Sequence, residues 1–128
     1  DFVYRYLIKS LSALVVEIDK ENVSGSVPRH TMALASAEAV DAGDDFSNVA
    51  KIFESAAERK FLTGDDKQLL YYQAALASMK VKDYGNAKKD VQKSIDASPQ
   101  SEQIFLLNAM IENIESLAKN ESEQNNQN

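Results

Sequence analysis

Residues 68–101 read QLLYYQAALASMKVKDYGNAKKDVQKSIDASPQS, and this stretch decides the fold class. Leu69, Tyr72, Leu76 and Met79 recur at steps of three and four, and so do Leu70, Ala74, Ala77 and Val81. Such spacing puts side chains on two adjoining stripes of one helix, so both of its sides can be covered. Lys82-Asp83-Tyr84 then reads as a tight turn. Beyond it, Tyr84, Ala87, Val91 and Ile95 share one face, with Lys88, Lys89 and Lys93 elsewhere. The Asp83 carboxylate can accept from the free N–H groups of that helix's first turn, which makes it the expected N-cap. Pro99 ends the helix, because proline disfavours helical backbone in the residue before it, here Ser98. Ala74, Ala75 and Ala87 leave almost no side chain between the two axes, so the helices are expected to lie close. Tyr71 and Tyr84 are large enough to fill the space on either side.

The rest of the chain continues the helical pattern. Val3, Leu7, Leu11, Leu14, Val15 and Ile18 form a broad apolar stripe that predicts a packed helix over residues 2–21. Asn22 to Arg29, with Ser24-Gly25-Ser26 and Val27-Pro28, reads as a linker. Thr31 is the expected cap of a helix reaching about Asp41, with Ala33, Leu34, Ala37 and Val40 as its apolar positions. Asp41-Ala42-Gly43-Asp44 stops it, and Asp45 caps a helix carrying Phe46, Val49, Ile52, Phe53, Ala56 and Ala57. Asp65-Asp66 is the expected cap pair for the helix beginning near Lys67. After Pro99, Ser101 opens a last helix with Ile104, Leu107, Ile111, Ile114 and Leu117 on its stripe, ending near Lys119. Residues 120–128 are Asn, Gln, Glu and Ser only, so a disordered polar tail is expected there.

The residues of the central stretch resemble a tetratricopeptide repeat. Tyr71, Ala74 and Ala75, Asp83-Tyr84, Ala87, Val91, Ile95 and Pro99 sit at that family's spacings over one unit of about 34 residues. Ser78 and Ser94 depart from it, standing where the family has an aromatic and an alanine. Residues 30–62 look like a degenerate copy, with Asp45-Phe46 parallel to Asp83-Tyr84 and Phe53 parallel to Val91. The resemblance implies an all-α, six-helix superhelical array of antiparallel hairpins. Its repeats would be residues 30–62 and 68–101, flanked by helices 2–21 and 102–119 in a single domain over 1–119. A looser resemblance runs to the mitochondrial fission adaptors, through Gly25-Ser26-Val27 before Thr31, Tyr71-Tyr72-Gln73-Ala74, Lys82-Asp83-Tyr84 and Pro99 followed by Gln103. That family's aromatic stretch is replaced here by Ala33-Leu34-Ala35-Ser36.

Stacked repeats line a concave surface with the first helix of each pair. The resemblance therefore implies a groove formed by Leu34, Glu38 and Asp41, then Leu69, Tyr72, Leu76, Met79 and Lys80, then Leu106, Met110 and Asn113. Its centre is apolar, which suits an amphipathic helix or an extended apolar segment of a protein partner. Repeats of this family that grip a terminal carboxylate need lysine, asparagine or arginine where Tyr72 and Leu76 stand, so that subtype is not expected. Two other uses of the apolar faces are open. The chain's own N-terminal helix can fill the groove, or a homodimer can bury residues 2–18 or 104–117.

Composition excludes other classes. In 128 residues with a net charge of −6, a nucleic-acid partner is not expected, because phosphate neutralisation needs a basic face. No window offers the roughly 18 apolar residues of a membrane span. The absence of cysteine excludes disulfides and thiolate metal sites. His30 is the only histidine and is expected in a loop, away from any nucleophile or metal-ligand pattern. The pairs Asp44-Asp45 and Asp65-Asp66 invite acid–base or cation readings, but both precede helices, where capping accounts for them. Neither catalysis nor a cofactor nor a bound metal is expected. The chain opens on Asp1 rather than Met, so an upstream segment is expected.

Overall fold

The computed structural model of the chain describes residues 27–60 and 62–127. The helix expected over residues 2–21 lies outside them. All regular structure among the described residues is α-helical: α1 (Val27–Ala42), α2 (Phe46–Ala57), α3 (Gly64–Lys80), α4 (Tyr84–Ala97) and α5 (Ile104–Gln127). The main contacts join helices that are successive in the chain, most extensively α3 with α4, and short connections turn the chain back each time.

The helix ends follow local chemistry. Asp45 caps α2 by accepting from the Asn48 N–H at 3.2 Å, and Asp83 caps α4 by accepting from the Asn86 N–H at 3.1 Å. The cap of α3 differs from expectation. Thr63 Oγ1 accepts from the Asp66 N–H at 3.1 Å, and the Asp66 carboxylate accepts from the Thr63 N–H at 3.4 Å. This reciprocal box satisfies two free donors at once, so Asp66 works from inside the helix and Asp65 is left for its surface. Helix α1 begins at Val27 rather than after Thr31. Pro28 sits in its first turn, where the missing N–H has no intrahelical partner to lose. His30 is therefore helical rather than in a loop. Gly43, at φ +63°, ends α1. Between α3 and α4, Lys82 takes the same left-handed conformation at φ +60°. There the Asp83 N–H reaches the Ser78 carbonyl at 2.9 Å and the Lys82 N–H reaches Met79 at 3.0 Å, the six-to-one and five-to-two pattern of a Schellman turn.

The tail expected to be disordered is helical through Gln127. A helix already nucleated extends at little cost, here through the Asn, Glu, Gln and Ser of residues 120–127. Glu115 pairs with Lys88 at 2.8 Å and Glu121 with Lys82 at 2.9 Å, which ties the long helix to α4 and the turn before it.

Two apolar clusters meet at α3. One joins Ala35 of α1, Val49, Ala50, Phe53, Ala56 and Ala57 of α2, and Leu70, Tyr71, Ala74 and Ala77 of α3. The other joins Ala75 of α3, Ala87 and Val91 of α4, and Leu107 and Ile114 of α5. Val40, expected to face inward, is 69% exposed, and Ala35 and Ala39 take the inner face of α1 instead. Ala74, Ala75 and Ala87 are wholly buried: Ala74 lies in the cluster where α3 meets α1 and α2, while Ala75 and Ala87 share the cluster where α3 meets α4. The two serines that break the repeat pattern are both buried and both bonded across this pair. Ser94 Oγ donates to the Gln68 carbonyl at 2.7 Å, and Ser78 Oγ accepts from Asn86 Nδ2 at 2.8 Å.

The start of α3 touches the end of α4 just as closely. A methyl group on Gly64 would lie 2.3 Å from the Ala97 carbonyl oxygen, backbone that cannot swing aside. Gly64→Ala is expected to cost about 1–3 kcal/mol through overpacking. Thermal unfolding followed by circular dichroism checks this: the midpoint falls while the low-temperature helical signal stays. An unchanged midpoint would show that the two helix ends do not meet this closely.

Candidate functional site

A hollow runs between α3 and the start of α5. Its volume is about 720 Å³, and Leu69, Tyr72, Leu106 and Leu107 supply its apolar lining. Positions 65, 69, 72, 76 and 80 of α3 fall on one face at 3.6 residues per turn, so Asp65, Leu69, Tyr72, Leu76 and Lys80 share it. Leu69 is 45% exposed and Leu106 is 48% exposed, which leaves much of two large apolar side chains in water across the hollow from each other.

Gln68 holds this site open and in shape. It is buried on α3, and its Nε2 donates to the carbonyls of Ser94 and Ser98, each at 3.0 Å. Those carbonyls lie at the end of α4, where a helix leaves acceptors without helical partners. Gln68 Oε1 accepts from Ser101 Oγ at 2.5 Å, and Ser101 Oγ also accepts from the Gln103 N–H at 3.2 Å. One side chain thus fixes α3, the end of α4 and the entry to α5. At the rim, Ser98 Oγ donates to Asp65 Oδ1 at 2.6 Å, and the exposed Glu102 lines the same hollow.

The residues expected to form a continuous groove divide into groups. Leu69, Tyr72 and Leu106 line the hollow together. Leu76, Lys80 and Asn113 are exposed outside it. Met79 and Met110 are half-buried and pack against the second apolar cluster, so they serve the interior more than a surface. Leu34 and Glu38 are half-buried on α1. They line neither this hollow nor a smaller one of about 430 Å³, where Val40, Phe46, Val49 and Leu69 meet. Leu69 therefore stands on the ridge between two hollows. The expectation missed Gln68, Asp65 and the connection from Gln100 to Gln103. Gln68 lay outside the apolar stripe, and a loop's return to a groove has no period to reveal it.

A polar seam lies elsewhere, where α2, α3 and α4 meet. Tyr71 Oη donates to Glu58 Oε1, and Lys93 Nζ lies 5.6 Å from the Tyr71 ring centre. Burial, then the Glu58 hydrogen bond, raise the Tyr71 pKa. Asp90 on α4 has no exposed surface. Its Oδ2 accepts from Asn86 Nδ2 at 3.4 Å, while Oδ1 meets no donor. Burial, the charge of Glu54 on α2 and a hydrogen bond with Glu54 push the Asp90 pKa up to about 7, against the pull of Lys93 and Lys89. Two facing carboxyls repel when both are charged, so burial beside Glu54 favours the protonated form of Asp90.

Among the described residues, no group of three or more His, Asp or Glu side chains could hold a metal ion. Among the same residues, no helix is long and apolar enough to cross a membrane.

These features define an all-helical arrangement of the described residues, with a half-apolar hollow between alternate helices. A family model described as "Uncharacterised protein C-terminal domain" matches residues 28–122, and the chain belongs to that family. Comparisons with curated proteins and with solved structures return no match.

Asp90 ties stability to pH. Its pKa is 3.8 when unfolded and about 7 when folded, so the folded chain holds the proton more tightly. The stability gained is full below the unfolded value and lost as pH rises to about 7. In Asp90→Asn the amide can donate to Glu54 without carrying charge. At about pH 8 this variant is expected to be more stable than the parent by roughly 1–3 kcal/mol, since a buried charge is removed. Urea unfolding across the pH range checks the sign. The parent weakens between acid and neutral pH and the variant does not. The same slope in both would place the titration on another group.

Proposed function

We propose that this chain is a non-catalytic interaction module of the tetratricopeptide-like kind, holding an apolar peptide or amphipathic helix of another protein in the hollow between α3 and α5. The observation that supports this reading is the pair Leu69 and Leu106, half-exposed on opposite walls of one hollow that the buried Gln68 holds in shape. Large apolar side chains left in water around a concavity are a usual mark of a binding site. A peptide with large apolar groups at helical spacing covers them and gains from their burial. Pairwise packing of successive helices and the alanine-lined α3–α4 contact support the repeat-like reading of the scaffold.

A second reading, self-association, is favoured by Phe105. It is 88% exposed at the start of α5, immediately beside Leu106.

A fluorescein-labelled amphipathic peptide of about 15 residues with leucines at helical spacing tests the first reading by anisotropy. Leu69→Asp and Leu106→Asp are expected to weaken its binding at least about tenfold, as loss of a central apolar anchor does. Tyr72→Ala and Leu76→Asp are expected to weaken it less, since Tyr72 is half-buried and Leu76 lies beyond the hollow. All four should keep the parent's helical signal in circular dichroism. Undiminished binding by the first two variants rejects the groove. A concentration-dependent dimer in sedimentation, broken by Phe105→Ser, supports self-association instead.

A further inference from the structure

We infer that the partner segment is basic at one end: the hollow selects an apolar peptide flanked by lysine or arginine, with that flank lying over Asp65 and Glu102. The inference rests on the groove reading above and adds the charge of its ligand. Both carboxylates line the same end of the hollow as the start of α3 and the entry to α5. Ser98 Oγ, at 2.6 Å from Asp65 Oδ1, fixes that side chain at the rim. The two helix starts at this end carry partial positive charge of about half a unit each. Asp66 and Thr63 already answer one of them at the cap of α3. The two full negative charges of Asp65 and Glu102 therefore leave the end acidic.

The other end of the same α3 face carries Lys80. It lies 15 positions beyond Asp65, or about 22 Å along the helix. Between the two come Leu69, Tyr72 and Leu76. The surface is thus acidic, then apolar, then basic. A segment with large apolar side chains and a cationic flank matches it only with the flank at the Asp65 end. The overall charge of −6 works in the same direction, drawing a basic segment in and repelling an acidic one. An acidic terminal segment, the reverse chemistry, would meet like charge at the rim.

Three peptides of about 15 residues test this, with one apolar core and flanks of arginine, glutamine or glutamate. Binding to the full chain is read by anisotropy at low salt and at about 0.5 M salt. At low salt the arginine-flanked peptide is expected to bind about fivefold or more tighter than the glutamine-flanked one, and the glutamate-flanked one least well, as two exposed ion pairs allow. Salt shrinks the difference. The Asp65→Asn, Glu102→Gln double variant abolishes it while still binding the glutamine-flanked peptide. Should that variant fail to fold, Glu102→Gln alone must still lower the preference, because its side chain is exposed. Equal binding of all three peptides overturns the charge selection and leaves the groove standing. A preference that survives in the variants overturns it too. If none of the peptides binds, the groove reading falls as well, and a dimer in sedimentation then names a second copy as its occupant.

Discussion

The close approach of α3 and α4 is the constraint on which the rest depends. Ala75 of α3 and Ala87 of α4, both wholly buried in one cluster, set the distance between the axes. At that distance neither helix can rotate without driving a larger side chain into the other, because packed interiors have little free volume. Helix α3 must then present Leu70, Tyr71, Ala74 and Ala77 to the first cluster and Ala75 to the second. Its remaining face, with Leu69 and Tyr72, is left for the hollow. The site is a by-product of how α3 is clamped.

Hydrogen bonds give that clamp its register. Alanine contacts alone tolerate sliding, since one small side chain resembles the next. Ser78 with Asn86 and Ser94 with Gln68 cannot slide without leaving buried polar atoms unpaired, and an unpaired buried group costs about 1–3 kcal/mol. The departures from the repeat pattern at Ser78 and Ser94 are thus physically meaningful. They exchange apolar filling for positional specificity. Gln68 extends the same logic outward by tying the end of α4 to the start of α5. This orders the wall of the hollow that α5 supplies.

Asp90 shows the opposite balance. It is placed where a carboxyl is hardest to ionise and where a second acid, Glu54, faces it. A proton-dependent element then lies between the side chains of Glu54 and Asp90, outside the hollow. Its effect is on the stability of the scaffold and not on the chemistry of the groove, since Asp90 and Glu54 line neither of the two hollows.

Much of the architecture was legible in the residues because it is local. Steps of three and four located the helices, and Asp45, Asp83 and Pro99 marked boundaries through bonds or clashes within a few positions. The alanines announced a close pair because size alone decides how near two helices lie. Asp90 could have been noticed as well, since it falls three positions after Ala87 and four before Ser94, on the buried face. Other features depended on distant groups. Thr63 displaced Asp65-Asp66 at the cap because the geometry of the box, and not acidity, chose the residue. The last helix ran past Lys119, where Glu121 meets Lys82 of the distant turn between α3 and α4. Which apolar residues line a hollow and which fill the core was decided only by tertiary packing. Leu69 and Met79 occupy equivalent stripe positions, and only the placement of α5 leaves the first in water and covers the second. Periodicity specifies a face, but the neighbour that arrives from elsewhere in the chain determines whether that face is interior or site.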